Sequence, residues 1–228
     1  MRLYKLTDEH LKTYAGFDWS ELLEQQKPAP RLKGGYSYLC GSSVYHAYTS
    51  PLVAVLMNPV HAGFENPRML EVGGKIVVND GTKVGCLTLR PLREIELPVV
   101  TQEQRIRFGI FSALAAYNKC TKEGGFYSYT FELKFFLREE FIPWARDWLS
   151  GKDRTKEATR EVLDEPSRYP YKNFPLRAPA KCILNASLAY SSARPAAVED
   201  YAAYAADYAN HLARRQINLA QIARKAIA

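Results

Sequence analysis

Nothing in the sequence is arranged to hold a metal or a disulfide framework. The four cysteines, Cys40, Cys86, Cys120 and Cys182, lie far apart and never approach CxxC spacing. The four histidines, His10, His46, His61 and His211, are just as dispersed, and a zinc site needs clustered ligands. The cysteines therefore read as reduced core thiols of a cytoplasmic protein, and no structural metal is expected. Long apolar runs are missing too. The longest, Phe108 to Tyr117, is far too short to span a bilayer, so no membrane association is expected. Residues Met1 to Asp8 already carry charge and no apolar segment follows, which argues against a signal peptide. GxSxG, P-loop and GxGxxG patterns are absent, so acyl transfer and nucleotide cradles lack their marks.

What is present is an ordinary globular composition of 228 residues, 47% hydrophobic and 24% charged. The net charge of +7 is unevenly placed. Residues 1–165 hold 22 Lys+Arg against 21 Asp+Glu, whereas residues 166–228 hold 9 against 3. A local excess of this kind attracts phosphates or an acidic partner.

The first hundred residues predict short strands and turns. Arg2 to Leu6 alternates with period two and predicts a first strand. Glu24 to Pro30 predicts a loop, because Pro28 and Pro30 prevent regular structure. Tyr36 to Leu39 and Val44 to Tyr48 predict a strand pair, and Met69–Val72, Lys75–Val78 and Leu92–Leu97 predict three more strands. Asn79-Asp80-Gly81 is a hairpin-turn signal. Between these strands, Ser50 as N-cap and Pro51 at the first helical position open a short helix that Asn58-Pro59 should stop.

Beyond Pro98 the period changes to that of helices. Thr101 with Gln104 forms a capping-box pattern, and Ile106, Ile110, Ala113, Leu114 and Tyr117 mark one face of a helix ending near Cys120. Thr130 to Leu149 predicts a helix divided or kinked at Pro143 and ended by Gly151, and a charged helix is expected over about Arg154 to Leu163. The four prolines in residues 165–180 predict an extended connection. Ala196 to Ala228 predicts one long helix, with Tyr201, Tyr204 and Tyr208 on one face and Ala202, Ala205, Ala206, Ala209 and Ala213 on another. That Ala/Tyr pattern offers a surface for self-association. The expected organisation is α+β: a strand-rich region at 1–100 with a small antiparallel or mixed sheet, a helical region at 101–165, a Pro-rich connection at 166–180, and Ala-rich helix at 181–228.

Several short segments carry a resemblance. They are Leu3-Tyr4-Lys5-Leu6-Thr7, Leu39-Cys40-Gly41, His46 through Leu52, Asn58 through Ala62, Glu65-Asn66-Pro67, Thr101 through Arg105, and Trp148 through Arg154. Across Leu3 to Arg154 the chain resembles an uncharacterised family of tailed-phage and prophage proteins, in which an Ala-rich helical tail follows. The resemblance implies a phage origin and a workplace in the host cytoplasm. The leading expectation is a non-enzymatic accessory protein that binds a host or phage macromolecule, with a protein as first-choice partner, and that counters a defence system or host process.

Two further readings rest on particular residues. The order of strand, Tyr-Thr-Ser, short helix and acidic strand is similar to the skeleton of an ADP-ribosyltransferase. The resemblance implies Arg2 or Lys5 for holding NAD, Tyr48-Thr49-Ser50 beneath the nicotinamide ribose, and Glu94 or Glu96 to stabilise an oxocarbenium-like centre. Here the first-strand basic residue is not followed by Gly, and Ser50 also reads as a helix cap. The other reading takes Arg168, Tyr169, Tyr171, Lys172 and Arg177, cations interleaved with rings, as a non-sequence-specific nucleic-acid contact. Without the NAD chemistry no cofactor is expected. A Cys40–His46 pair reads as a buried thiol beside a core histidine, and His46 with His61, flanking the short helix without nearby carboxylates, makes a poor metal site.

Overall fold

The computed structural model describes residues 1–33, 39, 42–122, 137–155, 158, 195–212 and 217–228. The chain divides into two compact units, Met1–Val99 and Val100–Ala228. The first carries the sheet and the second carries helices, an α+β protein in which no described residue after Ile95 lies in a strand.

In the first unit β1 (Arg2–Thr7), β5 (Arg68–Asn79), β6 (Val84–Ile95) and β4 (Tyr45–Ala47) form one antiparallel sheet in the order β1-β5-β6-β4. β1 and β4 are its edges, and they meet. Tyr4 donates its N–H to the Tyr48 carbonyl at 2.9 Å, and Tyr48 donates back at 2.7 Å. This single bridge curls the sheet around a core of Leu3, Ala47, Leu70, Val72, Val84, Cys86 and Leu89. A small hairpin, β2 (Lys12–Thr13) and β3 (Phe17–Asp18), leads into the short helix α1 (Ser20–Glu24) and delivers Trp19 into that core. The Trp19 ring packs on Phe17 and Tyr45 with centroids 4.8 and 5.6 Å away, and its indole N–H donates to Thr13 Oγ1 at 2.9 Å.

Three expectations for this unit need correction. The helix after Ser50, α2, runs Pro51–His61 with Pro59 inside it. Proline removes one helical N–H, but Asn58 closes the end: its carbonyl accepts from Ala62 and Gly63, and its side chain clamps both backbone groups of Phe64. Met69–Val72 and Lys75–Val78 are a single strand, in which Gly73 and Gly74 pair in register with Arg90 and Leu89 and the register shifts fall to either side of them. The strand expected at Leu92–Leu97 begins at Val84 and ends at Ile95. Gly85 and Pro91 hide it in the sequence, yet Gly85 is required there: a Cβ would sit 2.7 Å from Val78 Cγ1 and 2.8 Å from Val44 Cγ2. The N-cap at Ser50, where the hydroxyl accepts from Val53 N–H, and the turn at Asp80 are as expected.

In the second unit, α3 (Gln102–Lys122) opens with the capping box, Gln104 N–H to Thr101 Oγ1 and Thr101 N–H to Gln104 Oε1. A π-helical turn at Leu137–Phe141 leads into α4 (Ile142–Ser150), whose first turn holds Pro143 and whose end is Gly151 at φ 79°. The final helix is two helices, α5 (Pro195–Leu212) and α6 (Leu219–Ile227). Asn218 accounts for the second start: its side chain accepts from Gln221 N–H at 3.0 Å, the stop-and-restart that Asn favours over helix interior. Ala202, Ala203, Ala205, Ala206 and Ala209 are fully buried, and α3 packs on α5 and α6. The Phe111 ring lies under Lys225 Nζ at 4.1 Å. Of the strand expected at Tyr36–Leu39 only Leu39 is described, and it lies in no strand. Of the charged helix expected over about Arg154 to Leu163, Arg154, Thr155 and Ala158 are described, Ala158 as helix. The rest of both, Ala213 and the Pro-rich connection lie outside the described residues.

Candidate functional site: an arginine face on the sheet

Alternation along a strand sends neighbouring side chains to opposite faces, and cross-strand partners share a face. Leu3, Val72 and Leu89 point into the core. Arg2, Gly73 and Arg90, which stand in one register row, therefore share the outer face. The next row on that face is Tyr4, Glu71 and Arg93. The exposed Lys75 follows Gly73 by two positions, between Gly74 and Ile76 of the inner face.

The arginines are held in a specific way. Glu71, whose side chain is only 6% exposed, pairs with Arg2 Nε at 3.1 Å through Oε1 and with Arg93 Nε at 2.9 Å through Oε2. Arg90 donates its Nε to the Gln26 carbonyl at 2.8 Å. The inner nitrogens of Arg90 and Arg93 are hydrogen-bonded, and that of Arg2 is ion-paired to Glu71. The terminal amino groups of Arg2, Arg90 and Arg93 have no partner among the described residues, and the Arg2 and Arg93 side chains are 77% and 68% exposed. Between them Gly73 leaves a gap, for a Cβ built there would meet only the Arg90 carbonyl oxygen, at 4.0 Å. Three planar forks around an unfilled position, with a single carboxylate below, can hold an anion through several charge-assisted hydrogen bonds.

The residues that the ADP-ribosyltransferase resemblance singles out are distributed differently. Lys5 lies on the core side, 7% exposed, with Nζ 5.0 Å from the Trp19 ring centroid and donating to the His46 carbonyl at 3.0 Å. Burial pushes its ammonium down to about 8, against a smaller opposing pull from Cys86. Tyr48 is near it in the fold but buried, sharing a 3.2 Å hydrogen bond with His61 Nδ1, and burial raises its phenol. Thr49 is exposed and Ser50 is the buried helix cap. Glu94 is gripped by the fork of Arg68, whose hydrogen bonds hold its carboxyl below the usual range, and Glu96 is exposed just past the strand. Arg2 points to the opposite face from Lys5. The sheet thus brings Lys5 and Tyr48 together and puts Glu94 in the register row of Lys5, two strands away, while Arg2 lies on the other face and Glu96 past the strand end.

Burial lowers the His46 imidazole, and the nearby cations Lys83, Lys5 and His61 add smaller downward pulls. The His46 Nε2 bonds to the Leu39 carbonyl, which can only accept, so this nitrogen carries the proton. Asp80 joins this neighbourhood. Burial acts to raise its carboxyl, but hydrogen bonds from Lys83 N–H and from Thr82 outweigh it and hold it low. No group of three or more His, Cys, Asp or Glu suited to a metal ion occurs among the described residues. Cys86 is a free, buried thiol. Cys40, Arg168, Tyr169, Tyr171, Lys172 and Arg177 lie outside the described residues. No described helix is long and apolar enough to cross a membrane.

Sequence reasoning passed over the arginine face because its members are far apart in the chain, at positions 2, 71, 73, 90 and 93. The one available signal was the alternation itself, and it needs the β5–β6 register to be read. No protein-family model, curated protein or solved structure matches the chain.

Proposed function

We propose that the chain works by binding, and that the Arg2–Arg90–Arg93 face is where it holds an anionic macromolecule, in keeping with the phage accessory proteins it resembles. The observation that carries this reading is that the inner nitrogens of Arg2, Arg90 and Arg93 all have partners within the fold, with Arg2 and Arg90 on either side of the empty position at Gly73 and Arg93 in the next row. Pre-positioned donors lose little freedom when a ligand arrives, which distinguishes a site from loosely waving surface charge. Residues 1–99 contain eleven basic and ten acidic side chains, so the face is a local concentration and not a share of a general excess. The groups that NAD chemistry would call on serve other ends here, Ser50 as a cap and Glu94 in the Arg68 fork.

Gly73→Glu tests the reading with little risk to the fold, because the new side chain enters open space on the outer face. Calorimetric titration with inorganic tripolyphosphate is expected to show saturable binding by the native chain and at least tenfold weaker binding by the variant, the loss of one charge-assisted contact plus an added repulsion. Equal affinities for the two proteins contradict the assignment.

A further inference from the structure

Resting on that reading, we infer that the anionic partner is a single strand of nucleic acid, laid along β5 with its phosphates on the arginine face. Three cationic levels follow one another along the strand: Arg93 beside Glu71, then Arg2 and Arg90 flanking Gly73, then Lys75. Each level is two residues from the next, about 7 Å in an extended strand. That interval is close to the separation of successive phosphates in an extended polynucleotide. Across the sheet, Arg2 and Arg90 stand about 5 Å to either side of Gly73 at the backbone, so their forks can close on one phosphate from both flanks. The missing side chain at Gly73 lets the sugar–phosphate chain lie close to the sheet.

The row is one strand wide. Arg93, Arg2 with Arg90, and Lys75 form a single track about 14 Å long, enough for three phosphates of one chain and without a second track for the complementary chain of a duplex. Tyr4 lies on the same face in the Glu71 row and is half-buried, which offers a ring beside the track on which an unstacked base can rest. An acidic protein segment fits less well, since side-chain carboxylates along an extended peptide recur on one face only where every second residue is acidic. The contacts engage phosphates and no base edges, so binding is indifferent to sequence.

The experiment is a fluorescence-anisotropy titration of the full chain with a short dye-labelled deoxythymidine oligomer, its mixed-sequence single-stranded counterpart and a duplex, each at two salt concentrations. Two variants accompany the native chain: Gly73→Glu, and the triple change Arg2→Gln, Glu71→Gln, Arg93→Gln. The triple change removes both cations together with the carboxylate between them, so no buried charge is left unpartnered. Circular dichroism and a thermal melt verify that both fold. Native protein is expected to bind both single strands equally and more tightly than duplex, with affinity falling steeply with salt. Gly73→Glu is expected to weaken binding at least tenfold. The triple change should lower the logarithmic salt slope by about 1 to 2, since each phosphate contact to a single strand contributes about 0.7. Folded variants that bind like the native chain overturn the inference, because the nucleic acid is then held elsewhere. Duplex bound as well as single strand overturns it as well. Tripolyphosphate binding that Gly73→Glu weakens, with no binding of any oligomer, overturns this inference and leaves the anionic face standing, whereas no binding of either removes both.

Discussion

Replacing Lys5 by Met is expected to stabilise the first unit by about 3 kcal/mol at pH 7, although the lysine makes a hydrogen bond and a ring contact that methionine cannot. The reason is its environment. Lys5 is 7% exposed, and burial holds its ammonium near 8 against an ordinary 10.5. Each unit of such a shift corresponds to about 1.4 kcal/mol, so a charged Lys5 costs the native state roughly 3 kcal/mol. The sign follows from proton counting. Below pH 8 both states carry the proton and the cost is present in full. Between about 8 and 10.5 the unfolded chain binds more protons than the native chain, so native stability rises with pH, and above 10.5 the cost is gone. Cys86 works the other way, because burial raises its thiol and the unfolded chain loses that proton first. Lys5 itself pulls that thiol back down, so in the Met variant Cys86 rises further and the cancellation between the two proteins is only partial. Urea denaturation of native and Lys5→Met protein should therefore give curves that differ by about 3 kcal/mol at pH 7, with the difference shrinking as pH rises above about 8. A variant less stable than the native chain at pH 7 would show that the Nζ contacts to the His46 carbonyl and the Trp19 ring outweigh the burial.

Trp19→Ala is expected to cost about 4 kcal/mol, within the range for removing a fully buried large aromatic side chain. Trp19 is wholly buried and joins the hairpin of β2 and β3 to the core through Phe17, Tyr45 and the Thr13 hydroxyl. Its ring also covers Lys5. Removing it admits water to the ammonium and relieves part of the burial cost, so the measured loss is smaller than the packing alone would give. In the Lys5→Met background that relief is absent, and Trp19→Ala should cost about 1 to 2 kcal/mol more than in the native background. Additivity of the two changes to within about 0.5 kcal/mol would mean that Trp19 does not govern the solvation of Lys5.

The broad architecture was legible in the residues because each element announced itself through local chemistry. Ser50-Pro51 names a helix start, Asn79-Asp80-Gly81 names a turn, and Thr101 with Gln104 names the cap of α3; the structure has all three. What misled were residues whose local meaning is overridden by a neighbour distant in the chain. Gly85 reads as a breaker, yet it is a strand residue because Val78 and Val44 occupy the space a side chain would need. Pro59 reads as a stop, and Asn58 carries the helix past it. Uniform Ala-rich helix from 196 onward hid the restart at Asn218, which a polar cap imposes against strong propensity.

The site was less legible than the fold. Arg2 drew notice in the sequence for a different reason, as an NAD-holding cation, and Arg90 and Gly73 drew none. Only the register of β1, β5 and β6 shows that Arg2 and Arg90 flank the same glycine and that Glu71 serves two cations. Lys5 shows the reverse case. On the sequence it is a strand cation considered, like Arg2, for holding NAD, and its place over Trp19 comes from an element that folds in from residues 12–24.

The central claim is that the terminal amino groups of Arg2, Arg90 and Arg93 are held ready for an anion, and arginine side-chain NMR reads those groups directly. With nitrogen-15 protein, the Nε–Hε signals of Arg90 and Arg93 should be sharp in the free state, because each is hydrogen-bonded within the protein, and the Arg2 Nε is held by its ion pair with Glu71. Adding tripolyphosphate should shift all three along a common saturation curve, and in Gly73→Glu the same addition should leave them nearly still. Shifts confined to other arginines, with these three unmoved, would contradict the account.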